Sequence, residues 1–309
     1  MEMHVVAVGA DARLRAAAET LESAGVAVSF FENDVELLKA ADAVLLPLPM
    51  SRDGIHVSGT SVEIQTLLDA VGKGVPIFAG KTDGITDARL VDYAKDDFFE
   101  QMNAPPTAEG ALAIVLSETA ITVCGMRVGV LGFGRVARAV AYLFRAVGAD
   151  VTVFVRREEA RASAERAGYR GVSLTSLAEN MCEMDTVINT IPHCIVTAEI
   201  ISRMEKDTLI VDLASMPGGV DFDFARGAGI RAIHALALPG KYSPKTAGAI
   251  IGETVLSLLS HQKYRGEDRL CSVMHFADRS ARSQSPSRCF VPWWRRATVF
   301  CPVLTKVFI

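Results

Sequence analysis

Along the first hundred residues the apolar positions follow two rhythms. Short unbroken runs, His4-Val5-Val6-Ala7-Val8-Gly9, Val26 to Phe31, Ala43-Val44-Leu45-Leu46 and Pro76-Ile77-Phe78-Ala79-Gly80, have the length of buried strands, and several end on Gly or Pro. Between them Arg13 to Ala24, Val35 to Ala40 and Thr60 to Gly72 place apolar residues at helical spacing. Strands alternating with helices predict a mainly parallel sheet, so residues 1–106 read as an N-terminal α/β domain. The pattern breaks at Asn103-Ala104-Pro105-Pro106-Thr107. Thr107 is placed to cap a helix from Ala108 to about Thr119, giving a connecting helical segment over 107–123.

The alternation then resumes. Apolar runs at Arg127 to Gly132, Val151 to Val155, Thr186 to Asn189, Leu209 to Asp212 and Arg231 to Ala235 predict strands, with helices over Arg135 to Val147 and Glu158 to Ala167. Residues 124–245 thus read as a second α/β domain, a doubly wound parallel sheet of Rossmann type, and 246–263 as a returning C-terminal helix. Two α/β domains joined by helices predict a ligand-binding cleft between them. From 264 to 309 neither period is sustained. That stretch holds both tryptophans, Trp293 and Trp294, and an excess of Arg, and is expected to be an atypical, disordered tail.

Length and composition agree with this division. At 309 residues the chain exceeds one typical core, and 50% hydrophobic residues are ample for two. A net charge of −4 argues against nucleic acid as the main partner. No apolar run reaches membrane-spanning length and no secretory signal opens the chain, so a cytoplasmic, membrane-free protein is expected. Cys124, Cys182 and Cys194 stand singly within apolar segments and are expected to be buried free thiols; with no CxxC pair there is no zinc site, and no metal is predicted.

The chemistry enters at Gly132-Phe133-Gly134-Arg135-Val136-Ala137, a GxGxxA that follows a predicted strand and opens a predicted helix. Gly132 permits the tight turn, Gly134 lets backbone approach a pyrophosphate, and Ala137 lets the helix pack close to the sheet. Dinucleotide-binding domains usually place an acid at the end of the next strand to accept from the ribose hydroxyls of NAD. Here Val155 is followed by Arg156-Arg157, which suits a 2′-phosphate, so NADP is predicted; the plainer reading is two solvated arginines at a helix start. Asn189-Thr190-Ile191-Pro192 places Thr190 and Pro192 at the carboxyl edge of the sheet, where the nicotinamide lies in such domains.

Two longer strings are more specific. Asp212-Leu213-Ala214-Ser215-Met216-Pro217-Gly218-Gly219 and Leu238-Pro239-Gly240-Lys241-Tyr242-Ser243-Pro244-Lys245-Thr246-Ala247-Gly248 resemble the A-chain family of dipicolinate synthase. The likeness extends through the glycine turn to Gly9-Ala10-Asp11-Ala12-Arg13 and Leu48-Pro49-Met50-Ser51-Arg52-Asp53-Gly54, covering about residues 1 to 263. Ala10 departs from an expected second Gly, and the tail after Lys263 matches nothing in the family. The resemblance implies oxidation of 2,3-dihydrodipicolinate, or its hydrated precursor, to dipicolinate with NADP+ as hydride acceptor. It also implies that the partner is a flavoprotein-like B subunit, with a role in the mother-cell cytoplasm during sporulation; a homo-oligomer is expected.

Such a substrate needs groups for two carboxylates and a route for one proton. The candidates for the carboxylates are Arg13, Ser51, Arg52, and Ser215 with the Gly218 and Gly219 backbone. His193 and Lys241 are the candidates at the reacting centre. Each has a plain structural rival: an exposed helix Arg, a turn Ser, a surface Lys. His234, within an apolar strand, is more simply a satisfied core residue. Two other readings stay open: an NADP-dependent dehydrogenase of the 2-hydroxy-acid type, and a non-catalytic nucleotide-sensing module.

Overall fold

The structure, a computed structural model, describes residues 3–263, which form two compact units: 3–103 with 244–263, and 104–243. The 264–309 tail lies outside the described residues.

In the first unit β1 (His4–Ala7), β2 (Ala27–Phe30), β3 (Ala43–Leu45), β4 (Ile77–Ala79) and β5 (Leu90–Asp92) make an all-parallel sheet in the order β2-β1-β3-β4-β5. Both faces are covered, which is why its strands read as unbroken apolar runs. Val5, Ala7 and Leu45 point into one core and Val6, Val8 and Val44 into the other. The helix Pro244–Lys263 returns to this unit and lies on the helix Ala12–Ser23. A Cβ on Gly248 would stand 2.2 Å from the Arg13 carbonyl oxygen, and one on Gly252 2.7 Å from Thr20 Cβ. Four residues apart, the two glycines share a helix face and let the backbones touch.

The second unit is a six-stranded parallel sheet of β6 (Arg127–Leu131), β7 (Asp150–Val155), β8 (Arg170–Ser173), β9 (Thr186–Asn189), β10 (Leu209–Asp212) and β11 (Arg231–His234). Its order, β11-β10-β9-β6-β7-β8, is doubly wound, and the winding reverses between β6 and β9. Both sheets are of the predicted α/β type.

Several local expectations are corrected. The helix predicted to be capped by Thr107 begins at Ala104 and ends at Glu118, so Pro105 and Pro106 fall in its first turn, where an absent N–H breaks no helical bond. The helix predicted over Thr60 to Gly72 covers only Ile64–Ala70. The strands β5 and β8 escaped the pattern because neither is an apolar run: Leu90–Asp92 ends on an acid and Arg170–Ser173 carries Arg, Gly and Ser. Cys124, Cys182 and Cys194 are free but exposed rather than buried, since they fall in a turn, in the short 3-10 helix Met181–Glu183 and in irregular chain, outside the sheet strands beside them. Among the described residues no helix is long and apolar enough to cross a membrane.

Candidate functional site

The glycine turn follows β6. Gly132 has φ +101°, and a Cβ there would stand 2.6 Å from Thr190 Oγ1, so both conformation and space require glycine. Gly134 is the N-cap of the helix Arg135–Ala146, and a Cβ on it would meet nothing within 4 Å. No side-chain hydrogen bond from Gly134 caps this helix. Ala137 is fully buried and brings the helix close to the sheet. Phe133 is clamped from both sides: the Arg138 guanidinium lies 4.4 Å over its ring and Tyr169 packs edge-on at 5.9 Å. Arg138 Nε also donates to the Phe133 carbonyl at 3.1 Å. Val136 is half-buried against this core and Arg135 is exposed. An uncapped helix start, a cleared approach and a rigid turn fit the pyrophosphate of a dinucleotide.

Arg156 and Arg157 follow β7 and are exposed, Arg157 as N-cap of the helix Glu158–Arg166. The acid nearest in sequence, Glu158, is paired with Arg161.

The ends of β9 and β10 are knotted together by a buried carboxylate. Asp212 Oδ1 accepts from Asn189 Nδ2 at 2.8 Å and Ala214 N at 3.0 Å, and Oδ2 accepts from Gly219 N at 2.7 Å. The Asn189 amide also binds both polar groups of Ile191, its Oδ1 accepting from Ile191 N and its Nδ2 donating to Ile191 O, each at 3.0 Å. Thr190 donates its hydroxyl to the Leu131 carbonyl at 2.8 Å, tying β9 to the glycine turn. His234 bonds the Ala214 carbonyl through Nε2 at 2.9 Å and stacks on Phe222. It is the satisfied structural histidine expected.

Two predicted carboxylate donors are therefore spent. The Gly219 N–H belongs to Asp212 and the Gly218 N–H to the Ser215 carbonyl at 2.9 Å, because the loop closes on itself to shield the buried carboxylate. Ser215, Pro192 and His193 are exposed along this edge. Lys241 is exposed on a short helix, Leu238–Tyr242, with Nζ 5.1 Å over the Tyr242 ring.

On the first unit Arg13 is 8% exposed, ion-paired with Asp11, and bonded through Nη2 to the Leu48 carbonyl, so it ties the loop after β1 to the loop after β3. Burial pushes the Asp11 carboxyl up, but the bonds from Arg13 outweigh it and hold the group below its ordinary range. Ser51 Oγ donates to the His56 carbonyl at 2.7 Å and accepts from Gly54 N at 2.9 Å; it builds its loop instead of facing a ligand freely. Arg52 is exposed. In the same loop Asp53 Oδ2 receives the His56 ring at 2.8 Å, a pair that spacing did not disclose. The backbone N–H and ring of His56 hold the Asp53 carboxyl well below the carboxylate range.

Sequence reasoning passed over Asn189 and Asp212. The available signal was an acid ending a wholly apolar strand just before a Pro-Gly-Gly turn, with no basic residue near it in the string.

A doubly wound sheet with this turn at its switch point defines a nicotinamide-dinucleotide-binding protein of the dehydrogenase class. The family described as D-isomer specific 2-hydroxyacid dehydrogenase, NAD binding domain, matches residues 115–216. The dipicolinate synthase A-chain of Bacillus subtilis is 38% identical over 172 residues, 56% of this chain and 58% of that protein, so the match spans under two thirds of the relative. The crystal structure of the dipicolinate synthase A-chain from Bacillus halodurans superposes with a TM-score of 0.74 at 30% identity, covering 83% of this chain and 97% of that one. The chain belongs to the dipicolinate synthase A-chain family. Shikimate dehydrogenase (NADP(+)) of Methanosarcina mazei is 37% identical over 83 residues, 24% of this chain and 30% of that protein.

Proposed function

We propose that this protein oxidises 2,3-dihydrodipicolinate, or its hydrated precursor, to dipicolinate with NADP+, working with a B subunit in the mother-cell cytoplasm during sporulation. The observation that carries the reading is the likeness to a dipicolinate synthase A-chain over 83% of this chain and 97% of that one, together with the open approach at Gly134. Bound NADP+ supplies a hydride acceptor. Gly132 to Ala137 hold its pyrophosphate, Arg156 and Arg157 its 2′-phosphate, and Thr190 and Pro192 border the nicotinamide. The short likeness to an enzyme named for NADP(+) supports the choice of cofactor.

Arg52 and Ser215 remain the exposed groups for the substrate carboxylates, with Arg13 fixing the loop that carries Arg52. Aromatisation of the ring drives the reaction, so a weakly oriented base suffices. His193, for which no side-chain hydrogen bond is formed among the described residues, is the proton acceptor we assign, with the exposed Lys241 as a further cation for the substrate.

The 2-hydroxyacid dehydrogenase match favours a second reading. That chemistry calls for a histidine positioned by a carboxylate, which His193 lacks. One assay separates the two. Coupled to dihydrodipicolinate synthase with NADP+, the protein is expected to generate the ultraviolet absorbance of dipicolinate. Silence with and without the B subunit, or turnover of 2-hydroxy acids in its place, rejects the proposal.

A further inference from the structure

Asp212 has 0% exposure, and its hydrogen-bond donors, Asn189 Nδ2, Ala214 N and Gly219 N, are all uncharged. Both oxygens accept hydrogen bonds and neither donates one. Burying a carboxyl group whose hydrogen-bond donors are all neutral is costly, and a neutral side chain could hold the same two loops with less desolvation; the titratable neighbour is His234, its register partner on β11. His234, on the next strand, turns its Nε2 to the Ala214 carbonyl.

The position of the charge suggests its use. A dinucleotide lies across the carboxyl edge of the sheet where the winding reverses, here between β6 and β9. With Arg156 and Arg157 on the adenosine side, after β7, a bound nicotinamide would fall toward the ends of β9 and β10. Asn189 pairs in register with Leu131, and Thr190 packs against Gly132. Asp212, bonded to Asn189, is one side chain removed from that turn. The oxidised nicotinamide ring carries a positive charge and the reduced ring is neutral. A fixed anion near that edge would therefore stabilise the charged form more than the neutral one.

Resting on the nicotinamide reading above, we propose that Asp212 is a positioning residue whose buried carboxylate favours the oxidised over the reduced cofactor. The bias would suit the protein to take hydride from its substrate rather than to give it.

The test is the ratio of dissociation constants for NADP+ and NADPH, measured by calorimetry on the full chain, or for NAD+ and NADH if that pair binds better. The wild type is expected to bind the oxidised form at least as tightly as the reduced. Asp212→Asn is expected to shift the ratio toward the reduced form on the order of tenfold, as one lost charge in a partly shielded site implies. Asn189→Ala removes the amide that holds the loops but leaves the carboxylate, and is expected to weaken both forms equally. Circular dichroism checks that each variant folds. If Asp212→Asn does not, the wild-type ratio and Asp212→Ser decide. A wild type that clearly prefers the reduced form, or an unmoved ratio in a folded Asp212 variant, overturns the proposal. Binding of neither form instead overturns the nicotinamide reading on which it rests.

Discussion

Gly132 and Gly134 separate what the fold needs from what a ligand needs. Adding a methyl at 132 strains a positive φ and meets Thr190, whereas adding one at 134 meets no protein atom within 4 Å. Gly132→Ala is therefore expected to lower the unfolding temperature, at a cost of roughly 1–3 kcal/mol. Gly134→Val should leave that temperature nearly unchanged while dinucleotide affinity drops; calorimetry beside thermal melts would show whether the two effects part. Arg156→Asp with Arg157→Ala tests the cofactor choice. If these side chains hold a 2′-phosphate, affinity for NADP+ should fall on the order of a hundredfold while that for NAD+ changes little. Undiminished NADP+ binding would remove the argument from the arginines.

At the scale of elements, backbone contact and capping carry the predictions. Gly248→Leu forces apart two helices that touch at the Arg13 carbonyl, and overpacking of this kind costs about 1–3 kcal/mol or more. Urea denaturation should register it. The helix Ile64–Ala70 is closed by Arg89, which donates to the carbonyls of Leu68 at 2.8 Å and Val71 at 2.7 Å while Asp87 holds its guanidinium. The hydrogen bonds from Arg89 pull the Asp87 carboxyl down to about 2. Its unfolded value is about 3.9, so the pair contributes stability above about pH 4 and loses it as pH falls toward 2. Asp87→Asn is expected to melt below the wild type at pH 7, with the gap closing by about pH 2. A gap that persists in acid would show that the carboxylate's charge is not what counts.

At the scale of the whole molecule, two units divide the work, and the dinucleotide is expected to report on one of them. At a hundred times its dissociation constant the cofactor should stabilise the unit it binds by about 2.7 kcal/mol. Amide exchange should slow in β6 and the helix Arg135–Ala146 of the second unit. Protection confined to the first unit would contradict the placement of the site.

The sequence by itself determined the two sheets and the turn. Buried parallel strands are necessarily apolar runs, and a strand, GxGxxA and helix in succession admit few other structures. It did not determine which polar groups are free. Whether Ser51 or the Gly218 and Gly219 N–H groups can face a ligand depends on partners such as the His56 carbonyl, Ser215 and Asp212, and loop closure makes those meetings. Likewise Asn189 and Asp212 stand 23 residues apart and meet only because β9 and β10 lie side by side in register. Hydrophobic periodicity reports burial, a local property. Hydrogen-bond satisfaction is settled between distant segments, so only the tertiary structure decided it.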